Sequence, residues 1–295
     1  MHDDQEFLCL RFAMGRVVST AHPLTAVSPH ELRAPLRIVL MSAGGPDLPE
    51  AASEGSRLSA RLAGRPEFDI VTNDHELGRD EFLQHFTHCD ILHFAGHTDY
   101  DPGQPSASGF RLADGHLSAA DLSRQADQVA VPRVVFVNAC ESARSPEWRV
   151  PDIATVFGLA NAFLRAGVKH YVGTLRNLED HTAFQYALEF YRELGSGQSI
   201  GVAVREARRA MAKREGKTSL TWASYVLYGD PASRYLPPRP SPALLRGLSG
   251  KRLAAIGAAA GVVIVTALAL TWSLRGGSSQ ARPSCASGAP GKPDP

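Results

Sequence analysis

Two residues in this chain combine reactivity with a placement that covalent chemistry can use. Cys140 follows the apolar run RVVFVNA (133–139), and His97 follows the run DILHFA (90–95) after one glycine. Both runs read as buried strands. In an open parallel sheet, sites form beyond the carboxyl ends of the strands, so both reactive residues belong at that edge. If the two strands are neighbours, about 4.8 Å apart, imidazole and thiol can approach. The thiolate is the attacking species. An imidazole can take its proton and later protonate a leaving amine, and backbone N–H groups beside the cysteine can hold an oxyanion. The bland alternative is that a cysteine after an apolar strand is a buried small hydrophobe, and this pattern alone does not choose.

Other polar residues invite chemical readings that their context weakens. His85, His88, Cys89, His93 and His97 are dense enough to suggest zinc, yet they straddle a helix end and a strand and cannot all face one point. His93 lies inside an apolar strand and reads as a packed histidine. Gly216-Lys217-Thr218 resembles the end of a phosphate loop, but Met211 stands where the first glycine belongs and a helix precedes it. Glu141, after the candidate nucleophile, reads as a solvated carboxylate or one at a helix N-terminus.

The elements that must position His97 and Cys140 alternate along the chain. Runs at 37–41, 68–71, 90–95, 133–139, 170–175 and 223–228 read as strands. Segments from 49 onward and at 80–86, 156–165, 182–194 and 199–213 read as helices. GFRLADGHL (109–117) reads as a hairpin turning at Asp114-Gly115. This alternation predicts an α/β fold with a mostly parallel sheet and helices on both faces. Residues 1–30 alternate weakly and are expected to add an antiparallel ribbon.

Composition narrows the function. The chain has 295 residues, 44% of them hydrophobic, with 31 Lys+Arg against 30 Asp+Glu. That balance argues against a nucleic-acid partner, which needs a basic excess. The four cysteines form no C-x-x-C pair, which fits a reducing compartment better than a disulfide scaffold. The start carries Asp3, Asp4 and Glu6 rather than the basic stretch of a secretory signal, so the globular part is expected to be cytoplasmic.

HFAGH (93–97) and NACES (138–142) resemble the two signature segments of CHAT domains, bacterial relatives of caspases and separases. SGFRLADG (108–115), Gly158-Leu159 through Gly173-Thr174-Leu175, Asp180, Phe190-Tyr191 and WASYVLYGDP (222–231) are similar to further parts of that family. The resemblance covers about residues 35 to 232. It implies a caspase-like fold and a cysteine endopeptidase, often under regulatory control. His97 would be the general base and Cys140 the nucleophile, with the backbone N–H groups of Thr98 and Cys140 in the oxyanion hole. The family usually has Gly where Thr98 stands, and a β-branched residue restricts the backbone there. Asp180, Asp99 and Asp152 are candidates for lining the pocket of the residue before the scissile bond, where a carboxylate favours a basic side chain. Asp180 also reads as an N-cap before Thr182. The chemistry needs no metal and no organic cofactor. The partners implied are a protein or peptide substrate and an activating protein. An inactive CHAT module that recruits partners to a membrane is the rival reading, with Thr98 in its favour and the intact His97/Cys140 pair against it.

The expected organisation is an N-terminal extension (1–34), a peptidase domain (35–235), a Pro-rich linker (236–252), a transmembrane helix (253–274) and a disordered tail (275–295). Leu253 to Leu274 carries no charged residue. At about 1.5 Å per residue it gives a helix of roughly 33 Å, enough for a hydrocarbon core of about 30 Å. The expected localisation is a single-pass membrane protein with its large domain cytoplasmic. The full chain should therefore partition with membranes and withstand high-salt and carbonate washes, while a chain ending near Pro238 should stay soluble and folded. Release of the full chain by salt would rule out the spanning helix.

Overall fold

A strand covered on both faces has no solvent side and can be apolar throughout. That is the pattern of the strands Ile91–Gly96 and Val134–Asn138 in the computed structural model, which describes residues 7–17, 34–44, 48–73, 75–99, 101, 103–125, 131–139, 159–175, 180–219 and 221–238. In chain order the elements are α1 (Leu8–Arg11), β1 (Leu36–Ala43), α2 (Pro49–Leu62), β2 (Phe68–Thr72), α3 (Arg79–Phe86), β3 (Ile91–Gly96), β4 (Thr98–Asp99), β5 (Gly109–Leu112), β6 (Gly115–Ser118), α4 (Ala119–Gln125), β7 (Val134–Asn138), α5 (Leu159–Arg165), β8 (His170–Thr174), α6 (Asp180–Gly195), α7 (Ile200–Glu215) and β9 (Tyr225–Tyr228).

Six strands form the main sheet in the order β2-β1-β3-β7-β8-β9. All neighbours run parallel except β8 and β9. Alternation along the strands divides the core in two. Ile38, Leu40, Val134 and Phe136 face α2, α6 and α7. Val39, Met41, Val135 and Val137 face α3, α4 and α5. The sheet is thus covered on both faces, as the alternating pattern predicted. The first core is dense in rings: Phe136 lies 5.1 Å from Phe190 and 5.9 Å from Tyr191, and Tyr186 stacks on Tyr225 at 3.6 Å. Such pairs add about 0.5–1.5 kcal/mol each beyond their burial.

Three local readings change. Among the described residues 7–17 there is no antiparallel ribbon: Leu8–Arg11 is one helical turn, and Arg16 bridges Tyr228 in parallel. Leu10 is buried in the first core, Phe7 packs 5.1 Å from Trp222, and Arg209 donates to the Leu10 carbonyl at 2.6 Å. The segment is held by tertiary contacts that its weak alternation did not reveal. The short elements β4 and α4 were not foreseen, and β9 begins at Tyr225 because 221–223 form a 3-10 turn.

The chain divides into a unit Met1–Arg239 and a second, Pro240–Pro295, which lies outside the described residues together with the expected span Leu253 to Leu274. Among the described residues, no helix is long and apolar enough to cross a membrane.

Near the end of the first unit, His170 closes the chain onto β8. Its Nε2–H donates to the Asp230 carbonyl at 2.9 Å, and its Nδ1 accepts from the Tyr235 hydroxyl. Burial holds the His170 pKa below its ordinary value of 6.5, against the opposing pull of the Asp230 carbonyl. The unfolded chain therefore takes up this proton first as pH falls. The stability is present in full above 6.5 and is lost as pH drops from there toward the folded value. Urea unfolding between about pH 5 and pH 8 should show this loss, and His170→Gln should flatten it. Tyr235→Phe should cost about 1 kcal/mol at neutral pH.

Candidate active site

β3 and β7 are adjacent and parallel, paired from Ile91↔Val134 to Ala95↔Asn138. In the sequence, His97 stands two residues beyond Ala95, and Cys140 two beyond Asn138. Cys140 itself lies outside the described residues, as do Glu141 and Asp152. The chain is described as far as Ala139, whose carbonyl accepts from the Thr174 hydroxyl at the end of β8. The peptide that leads into Cys140 is thereby tied to the next strand of the sheet.

After β3 the chain leaves the main sheet. His97 is half-buried, and its carbonyl accepts from the Arg111 N–H at 3.1 Å. β4 then pairs antiparallel with β5, Thr98 opposite Phe110 and Asp99 opposite Gly109. Thr98 thus occupies an extended strand, a conformation that suits a β-branched side chain. The hydrogen bond from Arg111 to His97 makes Thr98/Phe110 a non-hydrogen-bonded pair, so the Thr98 N–H is directed away from β5.

The β5-β6 hairpin is tied to the helices beside it by carboxylates. Asp114, in the hairpin turn, accepts from the Arg79 N–H at 2.9 and 3.1 Å and so covers the N-terminus of α3, where a negative charge is favoured. Arg79 Nη1 donates back to the His116 carbonyl at 2.9 Å. Ser118 and Asp121 exchange bonds across the start of α4, 2.9 Å one way and 3.1 Å the other, in the manner of a capping box. Burial works against ionisation of Asp121, but Ser118 and the cations Arg124 and Arg79 outweigh it and keep the carboxyl below its usual range. Gly109 is required by packing: a Cβ there would sit 2.1 Å from the Leu117 carbonyl oxygen.

The three pocket candidates fare differently. Asp99 is half-buried and paired with Arg111 at 2.7 Å, with His116 Nε2 3.9 Å away. Such a pair, open to solvent, contributes at most about 1 kcal/mol, but it gives the carboxylate a guanidinium partner within the chain. Asp180 lies within α6, in place of the N-cap expected ahead of it. Asp152 lies outside the described residues.

Below the reactive edge lies a buried polar centre. His93, on the α2/α6 face of β3, is 0% exposed. Its Nε2–H donates to Glu54 Oε1 at 3.0 Å, and its Nδ1 accepts from the Tyr191 hydroxyl at 3.1 Å. The ring stacks on Phe136 at 5.0 Å. Asn138 Nδ2 donates to the same Glu54 oxygen at 2.5 Å and to the Ala183 carbonyl at 3.3 Å, and Asn138 Oδ1 accepts from the Tyr225 hydroxyl. His93 is packed, as its strand context indicated. Glu54 and Asn138 were missed. The available signal was a carboxylate on the apolar face of α2, in step with Ala51, Leu58 and Leu62.

The remaining histidines go separate ways. His88 Nδ1 lies 2.8 Å from the Gln84 carbonyl, and His85 lies 3.7 Å from Glu81. Cys89 is not a competing nucleophile: burial, reinforced by the Asp90 carboxylate, pushes its thiol up to about 12.

Among solved structures, the complex of Porphyromonas gingivalis RgpB pro- and mature domains is similar over 69% of this chain and 49% of that one, at 15% identity and a TM-score of 0.50. The Saccharomyces cerevisiae separase–securin complex aligns over 67% of this chain at 16% identity, with a TM-score of 0.44. A secreted C11 cysteine protease of Bacteroides thetaiotaomicron, in complex with an irreversible peptide inhibitor, aligns over 64% of this chain and 63% of that one, at 12% identity and a TM-score of 0.43. This chain spans 12% of the separase chain and about half of the RgpB chain. At such identities the RgpB likeness is one of fold alone. No curated protein matches the chain. The family match, by contrast, runs over residues 1–230, so the chain belongs to the CHAT domain family.

Proposed function

We propose that this protein is a cysteine endopeptidase with regulatory or defence duties, held at the cytoplasmic face of a membrane by Leu253 to Leu274. One observation carries the catalytic part: β3 and β7 are neighbours in register at Ala95↔Asn138, and His97 and Cys140 each follow by two residues. Ala95 and Asn138 are opposed residues of adjacent parallel strands, about 4.8 Å apart, which supports placing the two segments that lead to the imidazole and the thiol side by side.

In this reading His97 takes the Cys140 proton, and the thiolate attacks the carbonyl carbon of the scissile peptide. The resulting oxyanion is held by the N–H groups of Thr98 and Cys140. Collapse of the tetrahedral adduct expels the amine, which receives the proton from the His97 imidazolium. Water, deprotonated by His97, then cleaves the thioester and restores the thiol. Protein or peptide substrates supply the carbonyl, and an activating protein partner governs access. For the residue before the scissile bond, the Arg111 pairing of Asp99 leaves Asp180 and Asp152 as the stronger candidates for attracting a basic side chain.

Cys140→Ala should abolish cleavage of a peptide library without unfolding the protein, and His97→Ala should cost nearly as much because the two act as a unit. A thiol-reactive peptide electrophile should label Cys140 and spare Cys89. Undiminished turnover in Cys140→Ala would refute the assignment. If the unmodified protein shows neither cleavage nor His97-dependent labelling, the recruiting-module reading replaces it.

A further inference from the structure

Glu54 occupies a position that packing alone would give to an apolar residue. It lies on the buried face of α2 and is 4% exposed. A buried carboxylate is costly to desolvate, and replacing such groups by apolar ones of similar volume is often stabilising. What Glu54 does is mechanical. One oxygen, Oε1, accepts from His93 on β3 at 3.0 Å and from Asn138 on β7 at 2.5 Å. Asn138 forms the last rung of the β3–β7 ladder, opposite Ala95. Among the described residues that rung is the last of the ladder, and the chain after β3 turns away to pair with β5. At this end of the two strands Glu54 adds a side-chain link to the main-chain pairing. Gly55 lets α2 come close enough: its N–H donates to Ser42 Oγ at 3.1 Å, and a Cβ there would stand 2.9 Å from that oxygen.

We infer that Glu54 is a positioning residue, a clamp between His93 and Asn138 that fixes the ends of β3 and β7, from which His97 and Cys140 follow in sequence. This rests on the endopeptidase reading above. Glu54 touches neither substrate nor reacting atoms in this role; it acts through His93 and Asn138.

The test uses the full chain, with peptide cleavage and iodoacetamide alkylation of Cys140 followed against pH. Glu54→Met keeps the volume and removes the acceptor. It should lower kcat about 100-fold, the scale of a misplacement of about 1 Å, with KM changed less than about threefold. The alkylation midpoint should rise toward that of a free thiol, about 8.5. Glu54→Gln, whose Oε1 can accept both bonds, should recover kcat to within about tenfold of the parent. A purely structural role would lower the unfolding midpoint and leave kcat and the alkylation midpoint of the folded enzyme unmoved, and that result would overturn the clamp. Should Glu54→Met fail to fold, Tyr225→Phe removes only the hydroxyl that Asn138 accepts. It should cost about fivefold in kcat and raise the alkylation midpoint, and an unmoved midpoint would again overturn the clamp. Cys140→Ala and His97→Ala run alongside separate the two ideas. A parent protein without His97-dependent alkylation overturns the endopeptidase reading and the clamp with it. An active parent with unaltered Glu54 variants overturns the clamp alone.

Discussion

The parallel pairing of β3 with β7 is the constraint on which the edge leading to His97 and Cys140 depends. Both strands are wholly buried, and their register brings Ala95 opposite Asn138. A slip of one residue would turn every inward side chain to the other face. It would exchange His93 with Leu92 or Phe94 and put an imidazole into the apolar core beside α3 and α5. The buried bonds of His93 and Asn138 to Glu54 exist in one register only. Polar groups that are satisfied in one arrangement and orphaned in its neighbours specify that arrangement more sharply than apolar contact can.

Around this pair, the main sheet and the ribbon divide the work. The sheet supplies rigidity through two ring-rich cores, so the residues leading to His97 and Cys140 rest on buried backbone. The ribbon supplies the surface beside His97, and it is held by carboxylates at helix ends: Asp114 over α3 and Asp121 over α4. Charges placed at helix N-termini stabilise locally and leave the outer face of β4-β5-β6 polar. Asp99, Arg111 and His116 gather there, two residues past His97.

The connection from the sheet edge back to the helices is equally specific. Thr174 holds the Ala139 carbonyl, and Asn138 reaches the first turn of α6 through the Ala183 carbonyl. Arg208 of α7 donates to the Tyr225 carbonyl at 2.8 Å, and Tyr225 donates to Asn138. The last residues of β7 are therefore tied to β3, β8, β9, α2 and α6 at once. Hydrogen bonds in a buried, low-dielectric setting reinforce one another, so this position is held from several sides at once.

The sequence by itself determined most of the elements and their kinds, the short α1, β4 and α4 excepted. Runs such as RVVFVNA, the turn at Asp114-Gly115 and the amphipathic segments leading into α6 and α7 follow from local periodicity and turn chemistry. The paired signatures HFAGH and NACES followed from motif resemblance, which the family match bears out. His93 was legible as a packed residue because an apolar strand leaves it no solvent. The tertiary structure alone decided that β3 and β7 are neighbours, that β9 runs antiparallel at the edge, and that Arg16 joins Tyr228 in parallel. It alone showed that Arg111 meets Asp99 and that Glu54 bridges two strands. The reason is range. Periodicity reports which face of an element is buried, but the partner of a buried carboxylate or of a strand edge lies tens of residues away, chosen by packing of the whole sheet rather than by any local pattern.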